Sequence, residues 1–193
     1  MRLRHLFVAC LALWATGVRA ADLSTGLILF ENGQYERAHD ELKPLAESGD
    51  SRAQFIIGII YLHGHVEPPE ESAAVKWITM AAEQEHAAAQ SELARMYRLG
   101  DGVPQDSAAM VRWYTRAADR GDVGAQLFLA DAYAYGQGVE PDLVQAYMWY
   151  EIAIQYWGSL AVRARDIVSE KMTDDQVAKA TQLAGNWIKA HAK

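Results

Sequence analysis

Residues 89–125 read AQSELARMYRLGDGVPQDSAAMVRWYTRAADRGDVGA, and this pattern recurs along the chain at intervals of 36 residues. Six positions keep the same residue in three successive copies without an insertion. They are Ala53, Ala89 and Ala125; Gln54, Gln90 and Gln126; Tyr61, Tyr97 and Tyr133; Gly64, Gly100 and Gly136; Trp77, Trp113 and Trp149; and Ala81, Ala117 and Ala153. Because a period of about 20–50 residues is typical of stacked supersecondary units, the sequence predicts a repeat protein.

Each copy has the pattern of two helices joined by a short turn. In the first helix, apolar and small residues recur at offsets that place one stripe on one face. In the second copy, Gly100 is suited to ending this helix and Asp106 to capping the next one. The next helix carries its own stripe, which consists of Met110, Trp113, Tyr114, Ala117 and Ala118. A single hairpin cannot bury such stripes, so the copies are expected to stack. If Trp113 is fully buried, replacing it by alanine should cost about 3–5 kcal/mol.

These residues resemble the Sel-one-like repeat (SLR) family, which is related to the tetratricopeptide repeats. The family pattern has Ala, then Leu-Gly/Ala-x-x-Tyr, a Gly-x-Gly-Val turn, Asp, Ala-x-x-Trp and Ala-Ala-x-x-Gly. The second copy matches it nearly throughout and the third as far as Ala153. The resemblance implies an all-α, right-handed α/α solenoid of stacked helix–turn–helix repeats. It also implies a concave face lined by the first helices, and a role as an adaptor in protein assemblies.

Departures from the family pattern fall in the first and third copies. Val66 and Glu67 replace the second Gly and the Val of the first turn, which leaves the geometry of that loop open. Ile154 and Trp157 replace the last Ala and Gly of the third copy. The regular stack is therefore expected to stop near residue 158.

The chain divides into four segments on this pattern: a signal peptide (1–20), a divergent leading hairpin (21–49), three repeats (50–158; about 50–86, 87–122 and 123–158) and C-terminal capping helices (159–193). Pro44 is expected to kink or shorten the second helix of the leading hairpin. Thr173 and Gln176 have the spacing of a capping box and predict the start of a last helix there.

The N-terminus has the features of an export signal. Arg2 and Arg4 precede an apolar run over residues 6–15, and small residues lead to a cleavage position after Ala20. We therefore predict a periplasmic or secreted protein without a membrane span in the mature chain. A lipoprotein anchor at Cys10, the one cysteine, is the alternative, but few apolar residues precede it.

Charge argues against a nucleic-acid partner. The chain has 18 basic and 25 acidic residues, and its formal net charge is −7. The first 20 residues hold three arginines and no acid, so the remainder carries −10. A nucleic-acid-binding domain is expected to present a basic stripe instead.

The candidate binding face consists of positions on the first helices that the repeat pattern leaves free. It mixes apolar and charged side chains, as a binding groove does. The predicted protein-binding residues are Phe55, Ile59, Ser91, Glu92, Arg95, Leu127 and Asp131. Packing between helices explains Ile56, Ile60 and Phe128 equally well.

Catalytic and metal motifs are weak in this sequence, and we predict neither an enzyme nor a cofactor. His63 and His65 have acidic neighbours but lack a third ligand at a familiar spacing, so a solvated loop is favoured over zinc. A hydrolase that uses His63 is the least favoured function. The acidic pair Asp174 and Asp175 suits the first turn of a helix.

Two functions therefore remain from different classes. The first is an exported adaptor that binds a protein or peptide on the concave face. The alternative is a cell-envelope module that contacts peptidoglycan or exopolysaccharide through Tyr156 and Trp157. Packing of these two rings against the closing hairpin is favoured over that glycan role, and Trp149 belongs to the repeat core.

Overall fold

The computed structural model describes residues 22–66 and 71–191, and these ranges contain ten α-helices and no strand. The helices are α1 (Leu23–Glu31), α2 (Tyr35–Glu47), α3 (Ser51–Leu62), α4 (Glu71–Glu83), α5 (Ala87–Leu99), α6 (Ser107–Asp119), α7 (Val123–Tyr135), α8 (Leu143–Trp157), α9 (Ser159–Ser169) and α10 (Asp174–His191). The predicted signal peptide and its cleavage position after Ala20 lie outside the described residues.

Each helix from α1 to α8 packs against the next one along the chain, and α10 returns to pack on α8. The helices thus form a sequential stack of hairpins, which confirms the prediction of an all-α solenoid. Within the described ranges, no helix combines the length and hydropathy that a membrane crossing needs.

Aspartates and glycines at fixed repeat positions set the helix boundaries. Asp106 caps α6 by accepting a hydrogen bond from the Ala109 N–H at 2.9 Å, and Asp142 caps α8 in the same way. Gly100 and Gly136 end α5 and α7 in the left-handed conformation, with φ of 75° and 70°. This region is unfavourable for residues with a Cβ, which explains the glycine at this place in each copy.

The repeated glutamine is buried and joins neighbouring units. The Nε2 atoms of Gln54, Gln90 and Gln126 donate to the carbonyl oxygens eight residues earlier, at 3.0, 3.0 and 3.4 Å. Each bond links the first helix of a unit to the second helix of the preceding unit. A buried amide needs such a partner, so the glutamine fixes the register between units.

The three matched tryptophans differ in burial. Trp149 is 4% exposed, and its ring lies 5.8 Å from the ring of Trp187 on α10. Trp77 and Trp113 are only half-buried, and the Trp113 ring is partly covered by the Arg116 guanidinium at 4.6 Å. The estimate of about 3–5 kcal/mol for Trp113→Ala requires a fully buried ring. It is therefore too large for the half-buried Trp113, and it applies to Trp149 instead.

The leading hairpin packs closely through a small residue. A Cβ at Gly26 would lie 2.3 Å from a Leu42 methyl carbon, so glycine lets α1 approach α2. Helix α2 continues through Pro44 to Glu47. The expected shortening at Pro44 is therefore wrong, because the proline removes only its own N–H and its carbonyl still accepts from the Ser48 N–H at 3.1 Å. A kink there stays a prediction.

The closing helices have the predicted capping box. The Thr173 N–H donates to Gln176 Oε1 at 2.9 Å, and the Gln176 N–H donates to Thr173 Oγ1 at 3.3 Å. Tyr156 and Trp157 do not seal the junction with these helices, because they are 63% and 40% exposed. The Trp157 indole instead donates to the Val123 carbonyl at the start of α7, at 2.9 Å.

Candidate functional site

A groove of about 340 Å³ runs across the first helices of the three units. We call it the first-helix groove. Its wall combines aromatic and small residues with four charged side chains. The lining residues are Phe55, Ala88, Ser91, Glu92, Arg95, Arg98, Tyr114, Asp122, Gly124, Ala125 and Phe128. Such a mixture of apolar surface and a few polar groups is typical of binding sites.

Phe128 is the most exposed aromatic side chain of the groove. It is 44% exposed, and its ring lies nearly parallel to that of the buried Tyr114, with centroids 5.1 Å apart. The Arg98 guanidinium lies 5.3 Å from the Phe128 centroid. Burial raises the pKa of Tyr114, so its hydroxyl stays neutral at physiological pH. Tyr114 thus supports one face of the Phe128 ring, while much of the ring surface remains available to a ligand.

Ion pairs hold Arg95 at the groove wall. Its Nε and Nη2 donate to Glu92 Oε1 at 2.8 and 2.6 Å, and Nη2 also donates to Asp101 at 3.1 Å. The hydrogen bond to Glu92 is the main reason that the pKa of Arg95 is raised. Arg95 is therefore neutralised locally, and it shapes the wall more than it offers a free positive charge.

Two buried polar atoms near the groove have no hydrogen-bond partner within the part of the chain that the structure describes. They are Ser91 Oγ and Arg98 Nε. A buried polar atom without a partner costs about 1–3 kcal/mol, so the fold carries a local destabilisation at both positions.

His86 lies beside Phe55, which lines one end of the groove. It caps α5 by accepting a hydrogen bond from the Ala89 N–H at Nδ1, at 3.2 Å, and its ring is 4.9 Å from the Phe55 ring. Asp50 and Asp122 hold the corresponding cap position in the neighbouring units. Burial, with a further effect of Arg52, lowers the pKa of His86 and favours the neutral ring that capping needs.

The sequence profile of the Sel1 repeat matches residues 51–86, 87–122 and 123–155, which is more than half of the chain. The chain belongs to the Sel1 repeat family. Sel1 repeats generally mediate protein–protein interaction, and proteins with this fold are typically non-catalytic scaffolds.

Solved structures show the same Sel1 repeat architecture. One is c5321, a protective antigen of uropathogenic Escherichia coli strains with an SLR fold. It is 34% identical, with a TM-score of 0.70 over 81% of this chain and 34% of its own. Another is a Sel1 repeat protein from Oxalobacter formigenes. It is 38% identical, with a TM-score of 0.63 over 67% of this chain and 98% of its own.

A curated relative is the F-box protein At1g70590 of Arabidopsis thaliana. It is 34% identical over 74 residues, which is 38% of this chain and 20% of that protein. The present chain thus spans about a fifth of the F-box protein and a third of c5321.

Four of the seven predicted binding residues line the first-helix groove of the Sel1 repeats: Phe55, Ser91, Glu92 and Arg95. The other three are placed elsewhere. Ile59 and Leu127 are half-buried and pack against the core. Asp131 accepts a hydrogen bond from the Tyr150 hydroxyl, and burial is the main reason that the pKa of this tyrosine is raised. The role of all seven in binding stays a prediction.

Sequence reasoning left Phe128 open between the groove and helix packing, and it did not assign Arg98 and Tyr114 to the groove. Phe128 shares a free position on its helix with residues that pack between units, and only the structure separates these cases. Tyr114 was correctly placed on the core stripe of its helix. Its other role follows from Phe128 lying against it, which no residue spacing indicates.

The loop after α3 gives no support for a metal centre. Within residues 22–66 and 71–191, no three His, Cys, Asp or Glu side chains come together as ligands. The His65 ring stacks on Tyr35 at 3.8 Å. Glu67, Glu70 and the side chain of Glu71 lie outside what the structure describes, so zinc binding by the whole loop is untested.

Proposed function

We propose that this chain is an exported Sel1 repeat adaptor, without catalysis of its own, that binds a peptide segment of a protein partner in the first-helix groove. The observation that carries the proposal is the ring of Phe128, which is 44% exposed in the groove and supported by Tyr114 and Arg98. A large aromatic surface fixed in this way is typical of residues that dominate binding energy.

The groove favours an extended segment with one large apolar side chain. That side chain would lie on Phe128, in the same groove that Ala88 and Phe55 line. Backbone groups on either side of it would face the charged side chains of Arg98 and Asp122, which also line the groove. A peptide supplies both kinds of group in one short stretch.

Export is supported by the sequence of the first 20 residues, with a basic start, an apolar run and small residues before Ala21. Cleavage would leave no cysteine in the mature chain, so its stability would depend on helix packing alone. Purification of the protein from cell fractions and sequencing of its N-terminus test this part. A mature N-terminus at Ala21 in the periplasm or medium is expected, and an uncleaved cytoplasmic chain would refute it.

Selection of peptides displayed on phage tests the binding site. Peptides enriched on the purified protein should share a large apolar residue and should lose binding to Phe128→Asp and to Phe55→Asp. The matched control is Ile167→Asp, because Ile167 is 53% exposed on α9, away from the groove. Circular dichroism should show a wild-type helix content for all three variants. Peptides that bind the Phe128→Asp variant as well as the wild type would refute the assigned groove.

A further inference from the structure

A second cavity, of about 470 Å³, lies where α10 crosses the edge of the third unit. Its wall includes Arg120 and Gln126 from the end of α6 and from α7, Gln155 and Tyr156 from the end of α8, and Trp187 and His191 from α10. We call it the α10 cavity. It shares no lining residue with the first-helix groove.

The preceding unit closes the corresponding place with ion pairs. Glu85 adopts a left-handed conformation with φ of 66° and binds Arg116 at 2.6 Å and Arg120 at 2.5 Å. One period later, these three positions hold Gly121, Ile152 and Tyr156, so the ion pairs are absent there. The third unit therefore keeps an open space where the second has a closed, charged contact.

Gln126 lies in the wall of this cavity. The residue is 1% exposed, its Nε2 is used by the Ala118 carbonyl, and its Oε1 has no partner among the described residues. In the first unit, the Oε1 of Gln54 accepts a hydrogen bond from Gln84 at 2.6 Å. In the second, Gln90 Oε1 is also without a partner, but Gln90 is bound to the ion-paired Glu85 at 3.0 Å. Of these two cavities, the first-helix groove has none of the three repeat glutamines among its described wall residues. The α10 cavity contains one, Gln126 of the third unit.

Aromatic rings form the other side of the α10 cavity. The rings of Trp187 and His191 stack at 3.9 Å with an angle of 15°, and Tyr156 is 63% exposed. The His191 Nδ1 donates to the Trp187 carbonyl at 2.8 Å, which helps to hold the imidazole ring against Trp187. Flat rings beside hydrogen-bonding amides suit a ligand that has one apolar face and polar groups at its edge.

We propose that the α10 cavity binds a pyranose ring of a glycan. The C–H face of the sugar lies on the aromatic side chains, and a ring hydroxyl or an acetamido N–H donates to Gln126 Oε1. Gln155 at the rim offers a second amide to the sugar edge. The volume matches that of small-ligand sites, which are about 300–1,000 Å³. This site is separate from the peptide groove, so either can fail without the other.

The proposal is tested by titrating the purified protein with two trisaccharides, tri-N-acetylchitotriose and cellotriose. Binding is measured by calorimetry and by the indole N–H signals in the NMR spectrum of the protein. Saturable binding with a Kd on the order of 1 mM is expected if one pyranose ring of the trisaccharide, roughly 12–15 heavy atoms, contributes about 0.3 kcal/mol per atom. Preference for chitotriose identifies the acetamido group as the donor, and equal binding identifies a ring hydroxyl. Sorbitol, which has hydroxyls but no ring face, should not bind.

Variants locate the site. Tyr156→Ala and His191→Ala change exposed side chains and should each weaken binding by about 10-fold, if the stacked ring supplies energy on the scale measured for aromatic contacts. The matched control is Trp157→Ala, which removes the neighbouring exposed ring outside the cavity. Phe128→Ala should leave sugar binding unchanged. Failure of both trisaccharides to saturate the wild type, or equal losses in the Trp157 variant, would overturn the proposal.

Discussion

Replacement of Phe128 by alanine gives a quantitative test of the first-helix groove. The residue is 44% exposed, which corresponds to about 90 Å² for a phenylalanine of roughly 200 Å². A bound peptide that covered this surface would gain about 2 kcal/mol at 25 cal/mol per Å². Loss of the ring should therefore weaken peptide binding by about 30-fold. The fold should lose about 2 kcal/mol, because roughly 110 Å² of the residue is buried, in part against Tyr114.

Isothermal titration calorimetry with a selected peptide measures the first number, and urea unfolding measures the second. Ile167→Ala removes a similarly exposed apolar side chain from α9 and is the matched control. Its affinity for the peptide should equal that of the wild type. An unchanged affinity in the Phe128 variant, or an equal loss in the Ile167 variant, would refute the reasoning.

The remaining predictions concern stability, measured by urea unfolding. Trp149→Ala should cost about 3–5 kcal/mol because the residue is 4% exposed, whereas the half-buried Trp113→Ala should cost about 2 kcal/mol; equal costs would contradict the burial pattern. The pKa of His86 is lowered in the folded protein, so folding favours the neutral ring that caps α5. This ring contributes its full stability above about pH 6.5, and the contribution is lost as the pH falls through the folded-state pKa. His86→Asp should reduce the loss of stability on acidification, and an unchanged pH profile would be inconsistent with this role. Gly138→Ala should cost about 2–3 kcal/mol, because φ is +76° and the new Cβ would lie 2.2 Å from a backbone oxygen at the start of α6. Gly185→Ala, with open space around the site on α10, should be neutral or slightly stabilising.

The architecture was predictable because the repeat records it several times. Asp106 and Gly100 have the residue types that helix caps require, and both hold those positions in the structure. The recurrence of a glutamine at the position of Gln90 in each copy was visible in the sequence. The role of this glutamine was not visible, because the hydrogen bond from Nε2 to a carbonyl of the preceding unit depends on how two units stack.

The groove was predictable only in part, because helical spacing defines a face without showing what covers it. Phe55 and Arg95 lie on that face and line the groove, whereas Ile59 and Leu127 turn toward neighbouring helices. A rotation of a fraction of a turn decides between these outcomes, and the stacking of adjacent units sets it. The exposure of Tyr156 at the C-terminal end of α8 was also unpredictable. It depends on how α10 packs, which covers Trp149 and leaves Tyr156 exposed.

Site-specific photocrosslinking in the native cells tests most directly whether the first helices hold a protein partner. A benzophenone amino acid is placed at position 128 in the groove or at position 167 on α9. A discrete crosslinked protein is predicted at position 128, lost when Phe55→Asp is added, and absent at position 167. Adducts at position 167 with none at position 128 would contradict binding in the groove.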